Sequence, residues 1–240
     1  MWAKIAPQFL GDYDVICPDL RGYGASDKPR DVAQYSFAEM ARDQIALMQS
    51  LGYDRYHVVG HDRGARVAHR LALLAPDAVA TVTLMDIVPT HLLLDTLTKE
   101  VAQAYYHWFF LAQPEPVPEN MIAADPIAYF NSCLMGWGQA EDAGFDPQQL
   151  AAYRSAWQDR ETIRGMCNDY RAALAYDFDV DAADLGRQLD MPACIMWGRD
   201  GIMGQRFDVP STWADRFADI TAVDMPGGHF FPDHVPDLIT

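Results

Sequence analysis

The chain has 240 residues, half of them hydrophobic, which is enough for one or two globular domains and excludes a disordered chain. Eighteen basic residues against 34 acidic ones give a formal charge of −16, which argues against nucleic acid or an anionic membrane as partner. Asp, Arg, Pro or Gly interrupt every apolar run before it reaches membrane-spanning length, and Met1-Trp2-Ala3-Lys4 opens no signal peptide, so a cytoplasmic protein is expected.

In chain order, a short helical lead-in precedes "YDVICPDL" (13–20), whose β-rich composition predicts a strand ending in the polar loop "RGYGASDKP". From Phe37 to Leu51, Met40, Ile45 and Met48 recur at helical spacing and Gly52 is a suitable stop. "YHVVG" (56–60) reads as a buried strand. "RGARVAHRLALLAP" then predicts a helix with Val67, Leu71 and Leu74 inward and Pro76 past its end. "VTLMDI" (82–87), "ACIMWG" (193–198) and "ITAVDMP" (220–226) are further strands. Strands alternating with helices predict a mostly parallel α/β sheet covered on both faces.

Between these strands the rhythm stops. Residues 90–185 are aromatic-rich and read as a helical cap, with "AQPEPVPEN" (112–120) as a stiff proline loop between two of its helices. Residues 1–89 and 186–240 form the α/β core. Cys17, Cys133, Cys167 and Cys194 are scattered without a C-x-x-C pair and read as small buried thiols, neither a metal site nor a disulfide framework.

Gly60-His61-Asp62-Arg63-Gly64 has the G-x-Nu-x-G spacing of a nucleophile elbow, with a carboxylate where serine usually stands. At such a turn the helix N-terminus and the adjacent Arg63 and Arg66 favour the anion, making Asp62 a poor base but a permanently ionised nucleophile. Read alone, Asp62 is better explained as an N-cap residue; the glycines on both sides and a distant His favour the nucleophile. His229, after Gly227 and Gly228, follows the last strand, where this architecture carries its base. Asp86 and Asp200 both end strands, and spacing does not choose between them as the acid partner. Arg63 and Arg66 stand three apart on one helix face, and guanidinium forks suit a carboxylate.

"PDLRGYGASDKP", "GHDRGARVAHRLALLAP", "MDIVPT", "YYHWFF", "GWG", "NDYRA" and "PGGHFF" together resemble the haloacetate dehalogenases, fluoroacetate dehalogenases above all, of the α/β-hydrolase superfamily. The resemblance implies Asp62 as nucleophile, Asp86 as acid and His229 as base, with Arg63 and Arg66 on the substrate carboxylate. It implies His107, Trp108 and Tyr170 as halide ligands, with Trp137 lining the pocket. Haloacetate would become glycolate and halide through an ester on Asp62, with no metal or cofactor, in a homodimer acting on a small anionic 2-haloacid. Fluoride is strongly hydrated, and an imidazole N–H, an indole N–H and a phenol O–H replace its water without a competing anion. The resemblance also leads one to expect that the family's N-terminal strands, its H-G-F-P-type oxyanion loop and its closing C-terminal helix are truncated here. An epoxide hydrolase with the same Asp/His/Asp set, or a truncated non-catalytic homologue, are the alternatives; Asp62 in the serine position disfavours an esterase.

Overall fold

The computed structural model describes residues 1–136 and 144–239. Its sheet consists of β1 (Tyr56–His61), β2 (Val79–Met85), β3 (Ala193–Gly198) and β4 (Ile220–Met225), ordered β1-β2-β3-β4 with every neighbouring pair parallel. Register pairs Gly60 with Leu84, Met85 with Met196 and Gly198 with Met225. Val82, Leu84 and Ile195 of the two inner strands are fully buried. The edge strands are not covered on both faces: Val59 of β1, expected to be buried, is 50% exposed, and residues 221–224 of β4 are exposed. Because all four strands run the same way, the turns at Asp62, Asp86, Asp200 and His229 share one carboxyl edge.

Chain order among the helices is α1 (Ala6–Phe9), α2 (Phe37–Ser50) and α3 (Arg63–Leu74), then the insert, then α12 (Ile202–Arg206) and α13 (Phe231–His234). Ser36 caps α2 by accepting from the Glu39 amide, and Phe37, Met40 and Ala41 form its buried stripe. The insert contains α4 (Thr90–Asp95), α5 (Lys99–Ala104), α6 (Tyr106–Leu111), α7 (Val117–Ala124), α8 (Pro126–Asn131), α9 (Pro147–Ala156), α10 (Arg160–Ala172) and α11 (Phe178–Ala183). No strand interrupts it among the described residues, and no described helix is long and apolar enough to cross a membrane.

Four details depart from the sequence expectations. Residues 13–20 form no strand: they take no regular structure and are mostly exposed, without a ladder partner among the described residues, so β-rich composition alone does not make one. Leu74 does not face inward; it is 40% exposed at the end of α3, whose inner side is carried by Val67, Ala68, Leu71 and Ala72. The proline loop is shorter than expected, because α7 starts at Val117 and Pro118 sits in its first turn, where the missing amide hydrogen has no helical partner to lose. Of the four cysteines only Cys167 is buried; Cys17 is exposed on the unpaired segment, and Cys133 and Cys194 are intermediate.

Candidate active site

The turn between β1 and α3 is sharp. Asp62 has φ 49° and ψ −117°, a left-handed conformation tolerated at such an elbow by a short polar residue. Gly60 permits it: a Cβ there would stand 2.4 Å from the Gly64 carbonyl oxygen and 2.6 Å from the Ala65 Cα. Gly64 itself meets nothing within 4 Å, so only the first glycine of the elbow is required by space. The Asp62 amide donates to the Met85 carbonyl at 3.1 Å, tying the turn to the neighbouring strand.

The N-cap alternative for Asp62 is not the geometry found. Its carboxylate caps no amide and, among the described residues, has no hydrogen-bond or ion-pair partner; it lines a cavity of about 650 Å³. Burial pushes the carboxyl up, but His229, His61, Arg63 and Arg66 together hold it below its ordinary value. Asp62 is therefore ionised at neutral pH.

His229 lies 4% exposed after β4, and its Nδ1 is 2.6 Å from Asp86 Oδ2. Asp86, at φ 54° just past β2, also accepts from the Gly198 amide at 2.9 Å. Asp200 is exposed and accepts instead from the Gly227 amide at 3.1 Å, so of the two aspartates it is Asp86 that pairs with the His229 imidazole. Burial pulls the His229 imidazole down, but the Asp86 bond and the charges of Asp86 and Asp62 outweigh it, and the net shift is upward. His61 contributes unexpectedly. Its Nε2 donates to the His229 carbonyl at 2.7 Å, and burial holds this ring near pKa 4 and neutral.

The two arginines are not equivalent. Arg63 Nε donates to Asp169 Oδ2 at 2.9 Å, and Nη2 reaches both Asp169 Oδ1 and the Asp169 carbonyl, the latter at 3.0 Å. Its guanidinium carbon lies 4.4–5.0 Å from the ring centres of Tyr170, Phe37 and Trp108. Among the described residues, its Nη1 alone remains unpartnered and buried. Arg66 donates through Nη1 to the Val88 carbonyl at 3.0 Å and Thr90 Oγ1 at 2.9 Å, leaving Nε and Nη2 unpartnered among the described residues. Those two hydrogens point along one edge of the fork, which is the edge that takes a carboxylate bidentately. Asp169, Thr90 and His61 were not singled out from the sequence. The one available signal was an acidic residue directly before Tyr170 in "NDYRA".

The insert brings His107, Trp108 and Tyr170 together. The Tyr170 ring lies edge-on to both His107 and Trp108, each 5.6 Å away between centres. Burial pushes His107 down to about 4 and Tyr170 well up, so both are neutral at pH 7, with the His107 ring N–H bonded to the Ala104 backbone. Trp108 Nε1 is buried without an acceptor among the described residues. His107, Tyr170 and His229 line the same cavity as Asp62; Arg63, Arg66 and Trp108 lie behind that lining. Trp137 lies outside the described residues.

The α/β-hydrolase fold family matches residues 1–233. The chain is 48% identical to a fluoroacetate dehalogenase from Burkholderia sp over 99% of its own length and 79% of that protein. It is 27% identical to a soluble epoxide hydrolase from Corynebacterium sp. (strain C12), covering 99% and 82%. A solved α/β-hydrolase-type structure from Nostoc sp PCC 7120 superposes with a TM-score of 0.96 at 44% identity, covering 99% and 82%.

Proposed function

We propose that this chain, which belongs to the α/β-hydrolase fold family, is a hydrolytic dehalogenase that converts a haloacetate to glycolate and halide. The observation that carries the reading is the unpartnered Nε–Nη2 edge of buried Arg66, four residues from an ionised carboxylate that no protein donor occupies. An anionic substrate is bound by the first and attacked by the second. Residues 90–185 serve as the cap that supplies the halide ligands. A cytoplasmic homodimer belongs to the same proposal and rests on the family resemblance.

In the first step an Asp62 carboxylate oxygen forms a bond to the α-carbon while the carbon–halogen bond breaks, the halide leaving with the bonding pair. No proton moves. The N–H of Trp108 and the O–H of Tyr170, joined by His107 once its ring N–H turns from the Ala104 backbone to the ion, take over the halide's hydration. In the second step His229 removes a proton from water, which attacks the ester carbonyl carbon of Asp62. The imidazolium then returns the proton to glycolate as the ester bond opens, with Asp86 holding the ring and stabilising its charge. The Arg63 amide at the helix N-terminus donates to the oxyanion.

The test is halide release from fluoroacetate and chloroacetate. A folded preparation that releases none, while opening an epoxide to a diol, overturns the dehalogenase reading in favour of the epoxide hydrolase. The arginine edge gives a sharper expectation. Arg66→Leu should lower kcat/KM for chloroacetate by about ten- to a hundredfold, the worth of charge-assisted hydrogen bonds, and spare the neutral isostere chloroacetamide. Equal losses on both would assign Arg66 to the scaffold.

The two steps also differ in their pH response. His229 sits above its ordinary value in the resting protein partly because Asp62 is charged. Esterification removes that charge, so His229 in the intermediate should titrate lower than in the free enzyme. An NMR titration of the resting protein should place the imidazole midpoint above 6.5, and the acid limb of ester hydrolysis should fall below that midpoint. Activity is thus lost on acidification, as the raised His229 gains its proton.

A further inference from the structure

Two guanidiniums flank Asp62, yet neither pairs with it. Asp62 and Arg66 are four apart at the start of α3, the spacing at which Asp and Arg ordinarily join, and Arg63 is the next residue. Both contribute to lowering the Asp62 pKa, so both are near enough to act on it. Each is held by other acceptors. Arg63 has its Nε and Nη2 on Asp169, which is itself fixed by the Tyr23 hydroxyl donating to Oδ2 at 2.6 Å. Asp169 is fully buried, in the last turn of α10. Tyr23 reaches it because its loop packs directly on α10: a Cβ on Gly22 would lie 3.3 Å from the Gly165 backbone, and one on Gly165 2.7 Å from the Gly22 carbonyl oxygen. Arg66 has its Nη1 on Thr90 Oγ1 and the Val88 carbonyl, in the segment that follows Asp86.

We propose that Asp169, Tyr23 and Thr90 are positioning residues that hold both guanidiniums off the Asp62 carboxylate, so that the nucleophile meets its substrate unpaired. The inference rests on the reading of Asp62 as nucleophile. A carboxylate in a bidentate arginine pair has its lone pairs engaged, and that pair would have to break before attack. Charge-assisted hydrogen bonds of this kind correspond to about ten- to a hundredfold in rate. The same holding acceptors leave the arginines' remaining N–H groups, Nη1 of Arg63 with Nε and Nη2 of Arg66, for the substrate carboxylate. The substrate anion and the nucleophile therefore do not compete for one fork.

The experiment is a single-turnover measurement of the first halide equivalent at saturating chloroacetate, with thermal midpoints recorded for every variant. Thr90→Val, which keeps the shape and deletes the acceptor, should slow that burst about tenfold or more. Asp169→Asn should do the same, and Asp169→Asn combined with Arg63→Gln should be faster than Asp169→Asn alone, because no freed guanidinium remains to occupy Asp62. A residue needed only for packing gives no such recovery. A Thr90→Val burst at the wild-type rate, or a double variant no faster than Asp169→Asn, overturns the proposal. A wild-type protein that releases no halide overturns instead the functional reading beneath it.

Discussion

Asp62→Asn is expected to abolish halide release, by about a thousandfold or more, while the protein still folds. The substitution keeps the size of the side chain but replaces an ionised oxygen with an amide, and amides do not displace halide at neutral pH. Any residual rate would come from binding and the halide ligands alone. Folding should survive because, among the described residues, the Asp62 carboxylate makes no capping or other hydrogen bond that the amide would break. Its anion is nevertheless favoured by Arg63 and Arg66, so a modest fall in thermal midpoint at neutral pH is expected. Since the folded pKa is depressed, that difference should shrink as the pH falls towards the carboxyl's own titration. An isotope experiment on the unaltered protein distinguishes covalent from direct attack. In a single turnover in ¹⁸O-water, the oxygen added to the α-carbon comes from Asp62, so the label should appear in the protein and not in glycolate. Label in the first glycolate formed would mean that water attacks the substrate directly and that Asp62 is a base.

The parts of this site that were readable in sequence are those written in local chemistry. The elbow is five consecutive residues, and the strand, turn and helix it demands are all found at Tyr56–Leu74. His229 was readable because two glycines and a closing strand precede it. Where two local readings were equal, sequence stopped: Asp86 and Asp200 each end a strand, and only the fold brings Asp86 to 2.6 Å from the imidazole while Asp200 stays at the surface. Residues 13–20 failed for a related reason. Val15 and Ile16 have the composition of a strand, but strandedness is a relation to a neighbour, and none pairs with them among the described residues. Asp169 was unreadable because it acts on Arg63 across 106 positions, with Tyr23 a further 146 positions away from it. A pair of adjacent arginines looked like two equal carboxylate ligands; their inequality lies in which acceptors the distant chain delivers to each.

His229→Asn should separate the two halves of the reaction. The first step moves no proton, so one equivalent of halide should still be released at close to the normal rate. The second step needs a base for water, and removing it should stop turnover after that equivalent, leaving a carboxymethyl ester on Asp62 visible as a mass increase of the intact protein. Asparagine is the informative substitution because its amide can still donate to Asp86, whose other oxygen stays on the Gly198 amide, so the pocket keeps its shape. His61 would still have the main-chain carbonyl at position 229 as its acceptor, holding the loop in register. The outcome bears on which histidine is the base. His61 lies 4.5 Å from His229 between ring centres, but burial holds it near pKa 4 and its Nε2 hydrogen is committed to that carbonyl. His61 therefore cannot take over the proton. Normal turnover by His229→Asn would remove His229 from the base role, and a stalled enzyme that carries no added mass would place the block before ester formation.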